Sequence, residues 1–161
     1  MTCACDKRIN TYLANLSVWT VKLHSLHWNV TGRLFVSLHE YTERLYDEAF
    51  EAYDAVAELL KMREQFPLST VREYLEVATL EEAPARVYTC CEVLALVEED
   101  MKAMRELALE IRNDAAAKDD FAVQSMFEDY VKGFDKQLWF LRAMKKNAEA
   151  GAAETSCGCS R

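Results

Sequence analysis

Glycine and proline are scarce in this sequence: its 161 residues include four glycines and two prolines. Both residues interrupt helices, so their scarcity disfavours a fold of many short strands and tight turns. No apolar run approaches the roughly 20 residues that span a bilayer. The N-terminus, MTCACDKRIN, also lacks the apolar segment of a signal peptide. We therefore expect an all-α, cytoplasmic protein that does not interact with the membrane.

Basic residues are also few, with 19 Lys and Arg against 27 Asp and Glu and a formal net charge of -8. A surface that neutralises many phosphates needs the opposite balance. The terminal segments supply only Lys7, Arg8 and Arg161. We expect DNA binding to be weak or absent at ordinary salt, and cations to be the ionic partners.

Apolar residues recur at spacings of three and four in four segments, which predicts four helices packed side by side. The rows are Leu13, Leu16, Thr20, Leu23, His27, Val30; Leu38, Thr42, Leu45, Ala49, Ala52, Val56, Leu59; Val87, Cys90, Leu94, Val97, Met101, Met104, Ala108, Ile111; and Phe127, Val131, Phe134, Leu138, Leu141. Between the second and third rows, a connection too long for a tight turn contains a short helical pattern, STVREYLEVATL. We predict a ferritin-like four-helix bundle over residues 10–147, with a long crossover carrying a short extra helix. Flexible tails are expected at 1–9 and 148–161.

Capping signals predict where the helices begin and end. Gly32 is expected to stop the first helix, and Ser37 with Glu40 forms a capping box for the second. Asp119 and Asp120 are candidates for the cap of the fourth helix. Helices one and two, and helices three and four, should therefore form antiparallel hairpins.

The three histidines lie close together, at positions 24, 27 and 39. The first hairpin brings His27 and His39 to the same end of the bundle. The second helix adds carboxylates at Glu43, Asp54 and Glu58, and imidazole with carboxylate suits iron, manganese or zinc. For an isolated acidic pair such as Asp54 and Glu58, the alternative to a metal site is that both carboxylates are ordinary solvated side chains on the helix surface. His24 is expected to be a structural, hydrogen-bonded histidine rather than a ligand.

The spacing along the second helix separates these groups. His39 and Asp54 are fifteen positions apart, or roughly 22 Å along a helix. A twofold dimer with the two second helices antiparallel would bring the histidines of one chain to Asp54 and Glu58 of the other, giving two equivalent sites. No Glu-x-x-His pair occurs, which excludes the intrachain ferritin site of that type.

The stretch LHSLHWNVTGRLFVSLHEYTERLYDEAFEAYDAVAELL, with KQLWFLRA in the fourth helix, resembles the Dps family of mini-ferritins over about residues 10 to 147. The resemblance implies a hollow homododecamer built from twofold dimers. It also implies ferroxidase activity: Fe(II) is oxidised to Fe(III) by hydrogen peroxide or O2 at intersubunit sites, and the mineral is stored inside.

The matching positions imply roles for individual residues. His27 and His39 would be iron ligands from one subunit, and Asp54 and Glu58 ligands from its partner. Glu43 falls where the family usually has a further acidic ligand, and the site would hold one iron or a di-iron centre. Trp28 matches a tryptophan close to the iron and would be a redox relay, with core packing as the alternative.

Some features leave other readings open. The terminal Cys3–Cys5 and Cys157–Cys159 pairs are not part of the family pattern. They are suited to binding a soft metal, to joining subunits by disulfides, or to no role beyond that of free thiols. Two functional alternatives also stand: a DNA-compacting stress-protection shell, and a structural metal-bridged dimer that holds zinc without turnover. Zinc is a competitor for iron because His and carboxylate ligands do not select iron absolutely.

Overall fold

The computed structural model describes the backbone of residues 4–152 and the side chains of residues 6–146. Within that range the elements are α1 Ala4–Asn29, β1 Val30–Thr31, α2 Phe35–Met62, α3 Val71–Val77, β2 Tyr88–Thr89, α4 Cys90–Ala116 and α5 Phe121–Ala152. The predicted all-α class, with a short helix in the crossover, is confirmed. None of the described helices is both long and apolar enough to cross a membrane.

Ion pairs fix the direction of α1 against α4. Lys22 of α1 pairs with Asp100 of α4 at 2.8 Å, and Arg8 near the start of α1 pairs with Asp114 near the end of α4. The two helices are therefore antiparallel. Because α2 turns back on α1, α2 and α4 run in the same direction. The connection from α2 to α4 must return along the whole bundle, which explains its length.

A two-residue parallel bridge closes the end of the bundle where α1 finishes and α4 begins. Val30 lies opposite Tyr88, and Thr31 lies opposite Thr89. Gly32 follows at a φ of 118°, a backbone conformation that residues other than glycine rarely adopt. A Cβ at this position would lie 3.1 Å from the Cys90 sulfur, so the Cys90 side chain would have to shift by a few tenths of an ångström to admit one.

The predicted apolar rows form the core. Leu13, Leu45, Met104 and Phe127 are each almost completely buried. Val87 is an exception, at 63% exposure, because it precedes β2 and lies outside α4.

The predicted capping box of α2 is wrong. The helix begins at Phe35, and its N-cap, Leu34, makes no side-chain capping bond. The turn after Gly32 starts the helix early, since the Phe35 N–H already donates to the Gly32 carbonyl at 3.0 Å. Ser37 and Glu40 are therefore inside the helix.

Other caps are formed by side chains. Thr70 with Glu73 begins α3, and Thr89 with Glu92 begins α4, each as a reciprocal capping box. The Thr89 backbone N–H and the Arg86 guanidinium lower the pKa of Glu92 to about 2. Asp120 accepts from the Val123 N–H at 3.4 Å at the start of α5, as predicted.

The helices extend past both predicted limits of the bundle, 10 and 147. α1 begins at Ala4, and α5 continues to Ala152. Arg63 helps to hold the first turns, since it pairs with Asp6 of α1 and with Asp120 before α5. The rest of the predicted tails, with Cys3, Cys157 and Cys159, lies outside the described residues.

Candidate metal centre

His27 and His39 form a stacked pair at the end of the α1–α2 hairpin. Their ring centroids are 3.6 Å apart, and the ring planes are inclined by 21°. His27 is 7% exposed, and His39 is half-buried. The hairpin therefore brings two predicted ligands into direct contact.

Each histidine is held by the backbone of the other. Nδ1 of His27 lies 2.8 Å from the His39 carbonyl oxygen, and Nδ1 of His39 lies 3.1 Å from the His27 carbonyl oxygen. Because a carbonyl only accepts, each Nδ1 carries a proton, so Nε2 is the nitrogen that has the lone pair in the neutral ring. A neutral imidazole with a bonded Nδ1–H and a free Nε2 is the form that binds metals.

Thr42 supports this pair from one turn further along α2. Its hydroxyl is buried, donates to the Leu38 carbonyl at 2.7 Å, and lies 3.4 Å from Nδ1 of His27. The imidazoles therefore rest on a packed surface of α2, which limits their rotation.

Tyr46 is a neighbour of the site that the sequence did not reveal. Its ring stacks on His24 at 3.8 Å and meets His27 edge-on at 5.3 Å. Burial raises the pKa of the Tyr46 phenol, and the carboxylate of Glu43 raises it further by charge and by a hydrogen bond. Tyr46 follows the predicted ligand Glu43 by one helical turn, and this spacing, which is visible in the sequence, places the two side chains on the same side of α2.

His24 has structural contacts, as expected. Its Nδ1 donates to the Thr20 carbonyl at 2.8 Å, and its ring stacks on Tyr46. Trp28 lies beyond it, with ring centroids 5.5 Å apart, and is 68% exposed. Trp28 therefore does not pack in the core of a single chain, and the core-packing alternative is excluded there.

The remaining predicted ligands lie elsewhere on α2. Glu43, Asp54 and Glu58 are all exposed. At the rise of a helix, Asp54 lies roughly 22 Å from His39. Among the described residues, no three His, Cys, Asp or Glu side chains converge into a group that could hold a metal ion. A single chain thus presents a histidine pair at one end of the helix and a carboxylate pair well along it.

An exposed aromatic residue lies between the two pairs. Phe50 is 64% exposed and stacks only loosely on Tyr53, at 6.3 Å. It is eleven residues from His39, which places it roughly 20° from His39 around the helix. Phe50 therefore lies on the same face of α2 as His39 and between His39 and Asp54 along the helix, with Asp54 about 60° around the helix from His39.

Comparison with known proteins gives a family and close structural neighbours. The sequence matches the ferritin-like domain family over residues 6–150. The DNA protection during starvation protein of Listeria monocytogenes is 35% identical over 139 residues, which cover 84% of this chain and 87% of that protein. General stress protein 20U of Bacillus subtilis is 31% identical over 141 residues, covering 84% of this chain and 92% of that protein.

Solved structures show the same similarity in three dimensions. Dps from Listeria monocytogenes is 30% identical with a TM-score of 0.86, covering 90% of this chain and 95% of that one. Dps from Listeria innocua, in crystals soaked with zinc, is 31% identical with a TM-score of 0.84, covering 88% and 96%. The similarity therefore extends along almost the whole length of both chains.

Proposed function

The chain belongs to the ferritin-like family, and we propose that it is a Dps-type ferroxidase and iron store that works as a homododecamer of twofold dimers. The family supports a general role in iron handling and stress protection. The finer proposal is that Fe(II) is oxidised by hydrogen peroxide, or by O2, at sites shared between two chains. The ferric product would be stored as mineral inside the shell.

The observation that carries this proposal is the reciprocal bonding of His27 and His39. Both Nδ1–H groups are occupied by backbone carbonyls, so both Nε2 atoms are left for a metal before any metal arrives. Such an arrangement reduces the reorganisation that binding requires. The pair still lacks carboxylate ligands within the described part of its own chain, which is why a second chain is needed.

An antiparallel contact between two α2 helices would complete the site. If His39 lies level with Asp54 or Glu58 of the partner subunit, the twofold axis passes near residues 46 to 49. Phe50 would then lie close to its own copy, and its exposed ring would be buried there. Burying a Phe side chain contributes about 1.5–3 kcal/mol, so two copies favour this contact.

The ligand set suits both oxidation states of the substrate. Imidazole nitrogen holds ferrous iron, and carboxylate oxygen accommodates the harder ferric product. Two Fe(II) and one hydrogen peroxide, with two protons, give two Fe(III) and two waters, so no hydroxyl radical is released. Trp28 is the proposed relay for a stray oxidising equivalent, and Glu43 the proposed further ligand.

The test is anaerobic loading with Fe(II) followed by hydrogen peroxide, with ferric absorbance recorded over time. His39→Ala and Asp54→Ala should each lose the fast phase, because each removes a ligand from every site. Glu106→Ala is the matched control, since Glu106 is an exposed carboxylate on α4, and it should react like the wild type.

Mixing the two inactive variants tests whether the site is shared. After dissociation and random reassembly, half of the dimers are mixed, and each mixed dimer contains one intact site of two. The mixture should therefore recover about one quarter of the wild-type amplitude. An intrachain site would recover nothing. A wild type no faster than buffer would favour the zinc-bridged structural dimer, which binding of Zn(II) without turnover would then support.

The names of several relatives favour a second candidate, the direct shielding of DNA. The net charge of -8 opposes it. A gel-shift titration separates the two functions: at physiological salt we expect no shift of duplex DNA, while DNA in the same mixture is still protected from Fe(II) and peroxide. A shift that survives physiological salt would favour the DNA-compacting shell.

A further inference from the structure

A cavity of about 160 Å³ lies inside the helix bundle and opens between α2 and α5. Its inner wall consists of buried side chains from three helices: Leu16 and Trp19 of α1, Leu45 of α2 and Met101 of α4. An apolar cavity of about 150 Å³ in another protein holds benzene, so this space is large enough for a one-ring molecule with a small substituent.

One buried polar group in this wall has no partner. The indole N–H of Trp19 is shielded from solvent and makes no hydrogen bond to any described residue. The whole side chain is almost completely buried, at 4% exposure. A buried donor without an acceptor destabilises the fold, because it has lost its bond to water and gained none in return. A molecule in the cavity with an acceptor oxygen beside Trp19 would supply the missing bond.

The polar side chains at the mouth of the cavity are already paired. Gln137 accepts from the Tyr41 hydroxyl at 3.1 Å and donates to Glu48 at 3.3 Å. Asp129 pairs with Lys132 on the same helix. The carboxylates of Glu48 and Asp129 also repel an anion that approaches the mouth. The occupant should therefore be neutral, and it needs one acceptor.

Aromatic rings form much of the remaining wall. Tyr12 and Tyr130 are stacked with ring centroids 5.7 Å apart, and Trp19 lies 6.0 Å from Phe134. All four residues line the cavity. Such walls favour a flat aromatic occupant, because aromatic rings stack on one another or meet edge-on.

The mouth of the cavity faces away from the proposed dimer contact. Glu48 and Ala52 each lie two residues from Phe50, which is roughly 160° around α2. Gly133 lines the cavity from α5, and a Cβ there would meet no atom within 4 Å. An α2–α2 contact through Phe50 would therefore not cover the mouth.

We propose that this cavity binds a neutral, single-ring aromatic carbonyl compound, whose oxygen accepts a hydrogen bond from the Trp19 indole N–H. The ring matches the apolar and aromatic walls, and a carbonyl is an acceptor that carries no charge. Binding is non-covalent, so no bond forms or breaks. The site goes beyond the ferroxidase proposal and does not depend on it.

Two probes of matched shape test the hydrogen bond by isothermal titration calorimetry of the full-length protein. Acetophenone has a carbonyl oxygen, and α-methylstyrene has a CH2 group in its place. The wild type should bind acetophenone once per chain. Trp19→Phe should lower the affinity for acetophenone about tenfold relative to that for α-methylstyrene, because it removes the donor and keeps an aromatic wall. The matched control is Trp139→Phe, which changes a tryptophan that is 59% exposed and should leave both affinities unchanged.

Ala49→Leu tests the position of the site. Ala49 lines the cavity and is 2% exposed, so a larger side chain there must occupy the space, and binding of both probes should be lost. Circular dichroism checks that each variant is folded. The proposal is overturned by a wild type that does not bind acetophenone, by an unchanged ratio of the two affinities in Trp19→Phe, or by a folded Ala49→Leu that binds both probes like the wild type. If Ala49→Leu does not fold, the ratio in Trp19→Phe decides.

Discussion

The buried ion pair between α1 and α4 offers the sharpest test of the packing. Lys22 and Asp100 are 2.8 Å apart, with side chains only 7% and 5% exposed. The second carboxylate oxygen of Asp100 is buried and has no hydrogen-bond partner among the described residues. In Lys22→Met, Asp100 would be left as an uncompensated buried charge. We expect the free energy of unfolding to fall by about 3–5 kcal/mol at pH 7.

The matched control is Lys102→Met. Lys102 is 62% exposed and pairs with Glu98 one turn away on the same helix, a type of contact worth about 0.3–0.5 kcal/mol. Urea unfolding of both variants at one chain concentration, followed by circular dichroism, measures the two losses. Adding Asp100→Leu to Lys22→Met should recover most of the stability, because no charge is then left buried.

The pH dependence of the stability lost in Lys22→Met shows whether the buried charge of Asp100 causes that loss. Desolvation by burial raises the pKa of Asp100, and the ammonium group of Lys22 opposes that rise. Without Lys22, the pKa should rise further, so the penalty is present above the folded-state pKa and disappears as the carboxyl is protonated. The stability lost in Lys22→Met should therefore shrink as the pH falls from 7 towards about 4. The reasoning is refuted if Lys22→Met costs no more than Lys102→Met, or if its loss grows at low pH.

Three further outcomes are expected. Phe50→Glu should prevent the α2–α2 contact, so sedimentation should give monomers and the fast oxidation of Fe(II) should disappear; intact dimers with unchanged kinetics would contradict the proposed axis. Gly133→Ala should raise the free energy of unfolding by up to about 1 kcal/mol, because Gly133 is inside α5 and its Cβ would meet no atom within 4 Å. A lower free energy of unfolding in urea would show instead that another subunit packs against α5 at Gly133 in the assembly. Glu92→Gln should weaken the fall in stability at low pH. Folding lowers the pKa of Glu92 from 4.5 to about 2, so its carboxylate stabilises the folded state above pH 4.5, and this stabilisation is lost as the pH falls through 2. Thermal scans at several pH values that show the same fall in both proteins would exclude this role.

The sequence predicted the bundle because apolar periodicity records which helix face is buried, and that information is local. Its capping rule was less reliable. Ser37 and Glu40 match the capping-box pattern, yet the turn at Gly32 starts α2 before them. The same pattern at Thr89 and Glu92 is a genuine box and was overlooked. The two matches differ only in the path of the backbone before the helix, which decides at which residue the helix begins.

The meeting of His27 and His39 at one end of the first hairpin was predictable from their spacing, and the structure shows it. The carboxylate ligands and their supply by a second chain were also predicted from spacing, and they stay a proposal. The reciprocal bonds to backbone carbonyls were not predictable, because a carbonyl has no residue identity to read. The stacking of Tyr46 on His24 likewise depends on how α1 and α2 are aligned, which no single-helix pattern contains.

The opposite placement of the two described chain ends has a practical consequence for protein engineering. Ala4 lies beside the end of α4 and Ala152 beside its start, so the two are separated by about 39 Å, the length of α1. A circular permutation that joins them would need a linker of at least about 11 residues. Fusion partners attached at the two ends would emerge at opposite ends of the bundle. A pair of fluorophores placed there would report on the integrity of the bundle along its full length.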